Sequence, residues 1–132
     1  MDRLFVDTSA WVASVNRGDH DHQPVAALLR GFRGRLVTSN FVFDETVTLC
    51  SYRLGHESAI SIGETLRQSA QVDLVRVSAE DETAAWDLLR KQRDKRYSFT
   101  DCTSFTLMRR LGLHTALALD ADFEQEGFAR VP

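Results

Sequence analysis

Long apolar runs are missing from this sequence, and so is any basic excess. No stretch approaches the roughly 20 apolar residues that a spanning helix requires. The apolar part of the opening "MDRLFVD" is too short for a secretory signal, which leaves a soluble, cytoplasmic protein away from the membrane as the expectation. Cysteine is scarce: Cys50 and Cys102 have no metal-type spacing and lie in apolar-rich segments. They read as reduced core residues. Lys and Arg number 16 against 19 Asp and Glu, a formal charge of −3, which speaks against strong nonspecific nucleic-acid binding but not against local patches. Repeats, low-complexity tracts and linkers are absent as well. What is present, 132 residues with 43% hydrophobic and 27% charged, suits one domain over residues 1–132 with a sizeable core.

Strand-like and helix-like stretches alternate along the chain. "RLFVD" (3–7) is a short apolar run of the kind covered on both faces of a sheet. "SAWVASVNRG" and "QPVAALLRGF" read as helices, with Pro24 tolerated in a first turn. "RLVTS" (35–39) is a second strand, followed by the helix "NFVFDETVTLCSYRLG" closed by Gly55. The helix "HESAISIGETLRQSA" leads to a third strand, "VDLVRVS" (72–78). "SAEDETAAWDLLRKQR" opens with Ser78 and Asp81 at capping-box spacing. "SFTDCTSFTLMRRLG" is a helix ending at Gly112, "TALALD" (115–120) a fourth strand and "ARVP" a fifth. Short strands separated by helices make an α/β domain with a mainly parallel sheet. Ligands in such sheets collect beyond the carboxyl ends of the strands.

Acids cluster at that edge. Asp7 closes the first strand and Asp120 the fourth. Glu45 shares a helical line with Phe41 and Leu49, and Asp101 one with Phe105 and Met108, so each projects from an otherwise apolar stripe. Four carboxylates in one cleft repel by about 4 kcal/mol per pair at ~4 Å and an effective dielectric near 20. A divalent cation relieves this, and an all-oxygen donor set favours Mg2+ or Mn2+. Such a cation suits phosphodiester hydrolysis. Each acid also has an ordinary reading. Asp7 fits an N-cap, Asp101 forms a capping box with Ser98, and Asp120 competes with Asp122 in "LDADF". "DHDH" (19–22) reads as a solvated polar loop, and Trp11 and Trp86 as core aromatics. The run "RKQRDKR" (90–96), or Arg109 and Arg110, offers charge to hold a phosphate backbone.

The stretches "LFVDTSAW", "TSNFVFDETVTL" (38–49), "SFTDCTSFTLMRRLG" (98–112) and "ALALDADFEQEGF" (116–128) resemble, in order, the four acidic motifs of PIN-domain proteins. The nearest group is the small VapC-like toxins of prokaryotic toxin–antitoxin pairs. The resemblance implies a three-layer α/β/α fold with strand order 3-2-1-4-5 and an Mg2+- or Mn2+-dependent endoribonuclease acting on RNA. It also implies a homodimer and a cognate antitoxin protein. Asp7, Glu45 and Asp101 match the family's metal-binding acids, and Asp120 its more variable fourth. One departure stands out: many members carry Ser or Thr where this chain has Ala118, and Thr8 or Ser9 is the local substitute for that hydroxyl. A non-catalytic PIN-like module that binds RNA or protein is the alternative. A phosphoacceptor receiver domain fits less well, because no Lys follows position 95. A haloacid-dehalogenase-type phosphatase would carry its D-x-D motif at the start of the chain, not in "DADF" near the end.

Overall fold

The computed structural model describes residues 2–132. Five strands, β1 (Arg3–Val6), β2 (Arg35–Ser39), β3 (Val72–Val75), β4 (Thr115–Leu117) and β5 (Ala129–Val131), alternate with helices. They form one sheet in the order β3-β2-β1-β4-β5, parallel at every pairing. Parallel neighbours require crossovers, and the helices supply them. These are α1 (Thr8–Val15), α2 (His22–Gly31), α3 (Asn40–Leu54), α4 (His56–Gln68), α5 (Ala79–Lys91), α6 (Phe99–Leu111) and the short α7 (Asp122–Gln125). Right-handed crossovers running outward from β1 to β3 put α1–α4 on one face; the return to β4 and β5 puts α5–α7 on the other. The order reverses between β1 and β4, so a crevice opens beyond their carboxyl ends.

Sequence patterning predicts strands reaching Ser78 and Asp120, but the structure ends them at Val75 and Leu117. Side chains intercept the backbone in both places. Asn40 Oδ1 accepts from the Val77 amide at 2.8 Å, and Ser78 turns to cap α5. Beyond β4, the Leu119 amide donates to Ser9 Oγ at 3.2 Å instead of to a strand. Helix α7, four residues long, has no counterpart in the sequence reading.

The core explains why the crevice is rigid. On one side Phe105 packs edge-on to Tyr97 and to Phe123, both with centroids 5.0 Å away, and lies 6.0 Å from Phe128. Phe5 of β1 joins this group through Phe123 at 6.3 Å. Aromatic burial of this kind fixes α6 and α7 against the sheet. On the other side buried Trp11 donates from Nε1 to Thr38 Oγ1, which itself donates to the Val6 carbonyl, both at 3.2 Å. That relay ties α1 to β2 and β1 beside the crevice. Cys50 and Cys102 are buried and free, as their apolar surroundings predict. Gly112 ends α6 at φ 69°, a left-handed turn that glycine adopts without a Cβ penalty. Trp86 departs from expectation: it is 54% exposed rather than part of the core, with its ring edge-on to Phe99 at 6.4 Å. Among the described residues no helix is long and apolar enough to cross a membrane.

Candidate active site

Asp7 leaves β1 and at once becomes the N-cap of α1. Its Oδ2 accepts from the Ser9 amide at 3.3 Å and from Ser9 Oγ at 2.8 Å. A side-chain cap of this kind satisfies helix-end donors. Yet Asp7 is only 3% exposed, and its Oδ1 has no hydrogen-bond partner. An unpaired carboxylate oxygen at that depth is costly unless another group completes it.

Asp101 arrives from the opposite layer. Ser98 Oγ accepts from the Asp101 amide at 2.9 Å, and Asp101 Oδ2 accepts from the Ser98 amide at 3.0 Å. The capping box thus fixes the carboxylate at the start of α6, while Phe105 and Met108, fully buried on the same line, anchor the helix. Asp120 follows β4 and accepts from the Asp122 amide at 3.1 Å. Glu45 sits half-buried on α3, one turn beyond Phe41. All four acids line one cleft of about 430 Å³, together with Ser9, Asp19 and Arg53 among others.

Among the described residues none of the four acids takes part in an ion pair. Burial pushes the Asp7 carboxyl up to about 7, with Asp101 and Asp120 adding to the rise and the Ser9 hydroxyl opposing it. Burial likewise lifts Asp101 to about 6, opposed by the Ser98 amide and reinforced by Asp120 and Asp122. Asp122 is raised too, through burial and then Asp120. Glu45 shares the cleft but is not among the charges that raise Asp7 or Asp101. Carboxylates driven up by desolvation and by one another form a sink for positive charge. With oxygen the only donor element among these acids, the orphaned Oδ1 of Asp7 fits a hard divalent cation.

Some cleft residues were not singled out from the sequence. Arg53 is one; Asp19, from the "DHDH" stretch read as a solvated loop, also lines the cleft. Asp19, His20 and Asp21 have ligand atoms within 4.8 Å of one another. His20 is almost fully exposed and paired with both acids, at 3.8 and 3.4 Å, an arrangement ordinary in solvated loops. Ser9, one of two hydroxyls considered, bridges Asp7 Oδ2 and the Leu119 amide, so it stands where Ala118 offers nothing. Arg109 and Arg110 are not free to hold a substrate. Arg109 binds the Glu126 side chain and carbonyl at 2.9 Å each and covers the Phe128 ring. Arg110 grips Asp81 through two bonds of 2.8 Å.

The PIN domain family profile matches residues 4–128. The chain belongs to the PIN domain family. It is 40% identical over 128 residues to the 23S rRNA-specific endonuclease VapC20 of Mycobacterium tuberculosis, covering 97% of each sequence. The crystal structure of VapC20, described as a sarcin–ricin loop cleaving toxin, superposes with a TM-score of 0.93 over 97% of this chain and 98% of that one. VapBC2 from Rickettsia felis, bound to a DNA fragment from their promoter, reaches a TM-score of 0.70 over 98% and 97% at 13% identity, a likeness of fold. A PIN fold in strand order 3-2-1-4-5 is therefore what the acidic motifs had implied. The receiver and phosphatase readings fall away.

Proposed function

We propose that this chain is a metal-dependent endoribonuclease, with Asp7, Glu45, Asp101 and Asp120 as the acids that hold Mg2+ or Mn2+. One observation carries the reading: a buried carboxylate with an unpartnered oxygen, raised to about 7 among other acids and, among the described residues, in no ion pair with a basic side chain. Its 40% identity to a 23S rRNA-specific endonuclease over nearly the whole chain supports ribosomal RNA, and the sarcin–ricin loop in particular, as the substrate. On this reading residues 1–132 act as one domain in the cytoplasm, as the toxin of a toxin–antitoxin pair. A homodimer and a small antitoxin protein are the partners that go with it.

When bound, the cation supplies a Lewis acid for the phosphoryl oxygen and makes water a better nucleophile at neutral pH. The protein's own part is positioning. Ser9 Oγ holds the Asp7 carboxylate by Oδ2 and leaves Oδ1 without a hydrogen-bond partner, on a residue that lines the cleft. The Ser98 amide likewise holds Asp101 by its Oδ2. Asp7 and Asp101 would be the principal ligands, Glu45 a ligand directly or through water, and Asp120 a second-site or water-mediated ligand. Hydrolysis forms one bond from water oxygen to phosphorus while the bond to the leaving ribose oxygen breaks in line.

Cleavage of ribosomal RNA by purified protein tests the reading. Mn2+ is expected to support cutting, EDTA to stop it, and Asp7→Asn to abolish it. Full activity in Asp7→Asn ends the assignment. An inert PIN-like module is distinguished by calorimetry, since it would take up no Mn2+ at millimolar concentration.

A further inference from the structure

A second cavity of about 420 Å³ opens at the C-terminal end of α1. Arg17, His22, Arg30, Ser14, Ser58 and Ser61 supply its polar lining, and no acid lines it. That composition runs against the chain as a whole, whose net charge is −3. Neither arginine is in an ion pair among the described residues. His22 is held in place by its Nδ1, which donates to the Ala13 carbonyl at 2.8 Å. Ser14 Oγ is spent on the Trp11 carbonyl at 2.6 Å, so two unpaired guanidinium groups and the Ser58 and Ser61 hydroxyls supply the free donors of an anion-seeking set, with the fixed imidazole beside them.

Helix α1 runs from the acidic cleft to this cavity: Thr8, Ser9 and Val12 near its start line the cleft, while Ser14 and Val15 at its end line the cavity. From Asp7 to Ser14 the helix rises about 10 Å at 1.5 Å per residue, enough for the two sites to engage different phosphates of one strand. A polyanion entering a cleft lined by carboxylates needs its grip elsewhere. Arg109 and Arg110 are spent on Glu126 and Asp81, whereas Arg17 and Arg30 are open to solvent.

We propose that the Arg17–His22–Arg30 cavity binds a backbone phosphate of the RNA strand, a few nucleotides from the phosphodiester that lies in the acidic cleft. This rests on the endoribonuclease reading. The site sets the register of the strand along α1 and leaves sequence readout to other surfaces.

The test pairs a cut-deficient background with a charge-removal variant. In Asp7→Asn protein, binding of a stem-loop RNA is measured across a salt series with and without Arg17→Gln/Arg30→Gln. Both arginines are exposed, so folding is expected to survive. Affinity is expected to fall about tenfold, and the slope of log affinity against log salt to flatten by about 0.7 for one single-strand phosphate contact. RNA is also expected to move the His22 ring signals in NMR spectra. Unchanged affinity and slope overturn the proposal. So do His22 shifts with inorganic phosphate when the arginine variant binds RNA normally, which would make the cavity a free-anion site. If wild-type protein with Mn2+ leaves RNA uncut but the arginine variant still loses RNA, the nuclease reading fails and the backbone site stands.

Discussion

Asp81 and Asp101 hold the same place in the same motif and meet opposite electrostatic fates. Each is the third residue of its helix in an S-x-x-D capping box, with reciprocal bonds between 2.9 and 3.0 Å. Asp81, 3% exposed, is clasped by the Arg110 guanidinium, which holds its carboxyl below the usual range despite burial. Asp101 has no such partner and rises to about 6 beside other acids. Helix α6 carries both Asp101 and the arginine that neutralises Asp81. A capping box therefore says where a carboxylate sits. Its charge depends on what the rest of the fold brings near.

The largest effect expected from that contrast is on catalysis. Asp101→Asn keeps an acceptor for the Ser98 amide, yet cleavage with Mn2+ should drop by about 10³-fold, as when a group aimed at developing charge is lost. Asp81→Asn, the same change in the other box, should leave the cleavage rate close to wild type. Equal losses in a quantitative RNA cleavage assay would erase the distinction.

The next effect is the dependence of stability on pH. The Asp7 pKa is raised in the folded state from 3.8 to about 7, so its contribution is fully present below about pH 4 and is lost as pH rises through 7. That span corresponds to about 4 kcal/mol at most. Metal-free protein should melt at lower temperature at pH 8 than at pH 5.5, Asp7→Asn should flatten the decline, and Mn2+ should stabilise wild type most at pH 8. Asp81 has the opposite sign: its lowered pKa gives stability above the ordinary carboxylate range that disappears on acidification. Thermal melts across pH in both variants check the two signs, and a decline unchanged in Asp7→Asn refutes the first.

Arg110→Ala strands Asp81 with its capping bonds but no counter-charge. A loss of about 2 kcal/mol is expected, partly recovered by adding Asp81→Asn; urea unfolding of the two proteins measures it. The smallest change is Ser9→Ala, which removes the donor to Asp7 Oδ2 and the acceptor for the Leu119 amide. Cleavage should fall roughly tenfold and stability by about 1 kcal/mol. A fully active Ser9→Ala would remove this hydroxyl from the site.

Much of the architecture was legible because it is written in local pattern. Apolar runs marked all five strands, and serine caps and glycine stops marked the long helices. The strand ends were not legible, since Asn40 and Ser9 reach in from distant segments to take the amides of Val77 and Leu119. Trp86 misled because an aromatic in mid-helix usually faces a core, whereas α5 buries Asp81 and Ala85 instead. Arg109 and Arg110 looked like free charge only because their acids, Glu126 and Asp81, lie 17 and 29 residues away.

The sequence by itself determined an α/β chain with parallel strands and acids stationed where its elements begin and end, because spacing and capping act over a few residues. Only the tertiary structure decided which of those acids were left bare. Desolvation and pairing depend on atoms a few ångströms away in space, and here those atoms come from helices and strands far apart along the chain.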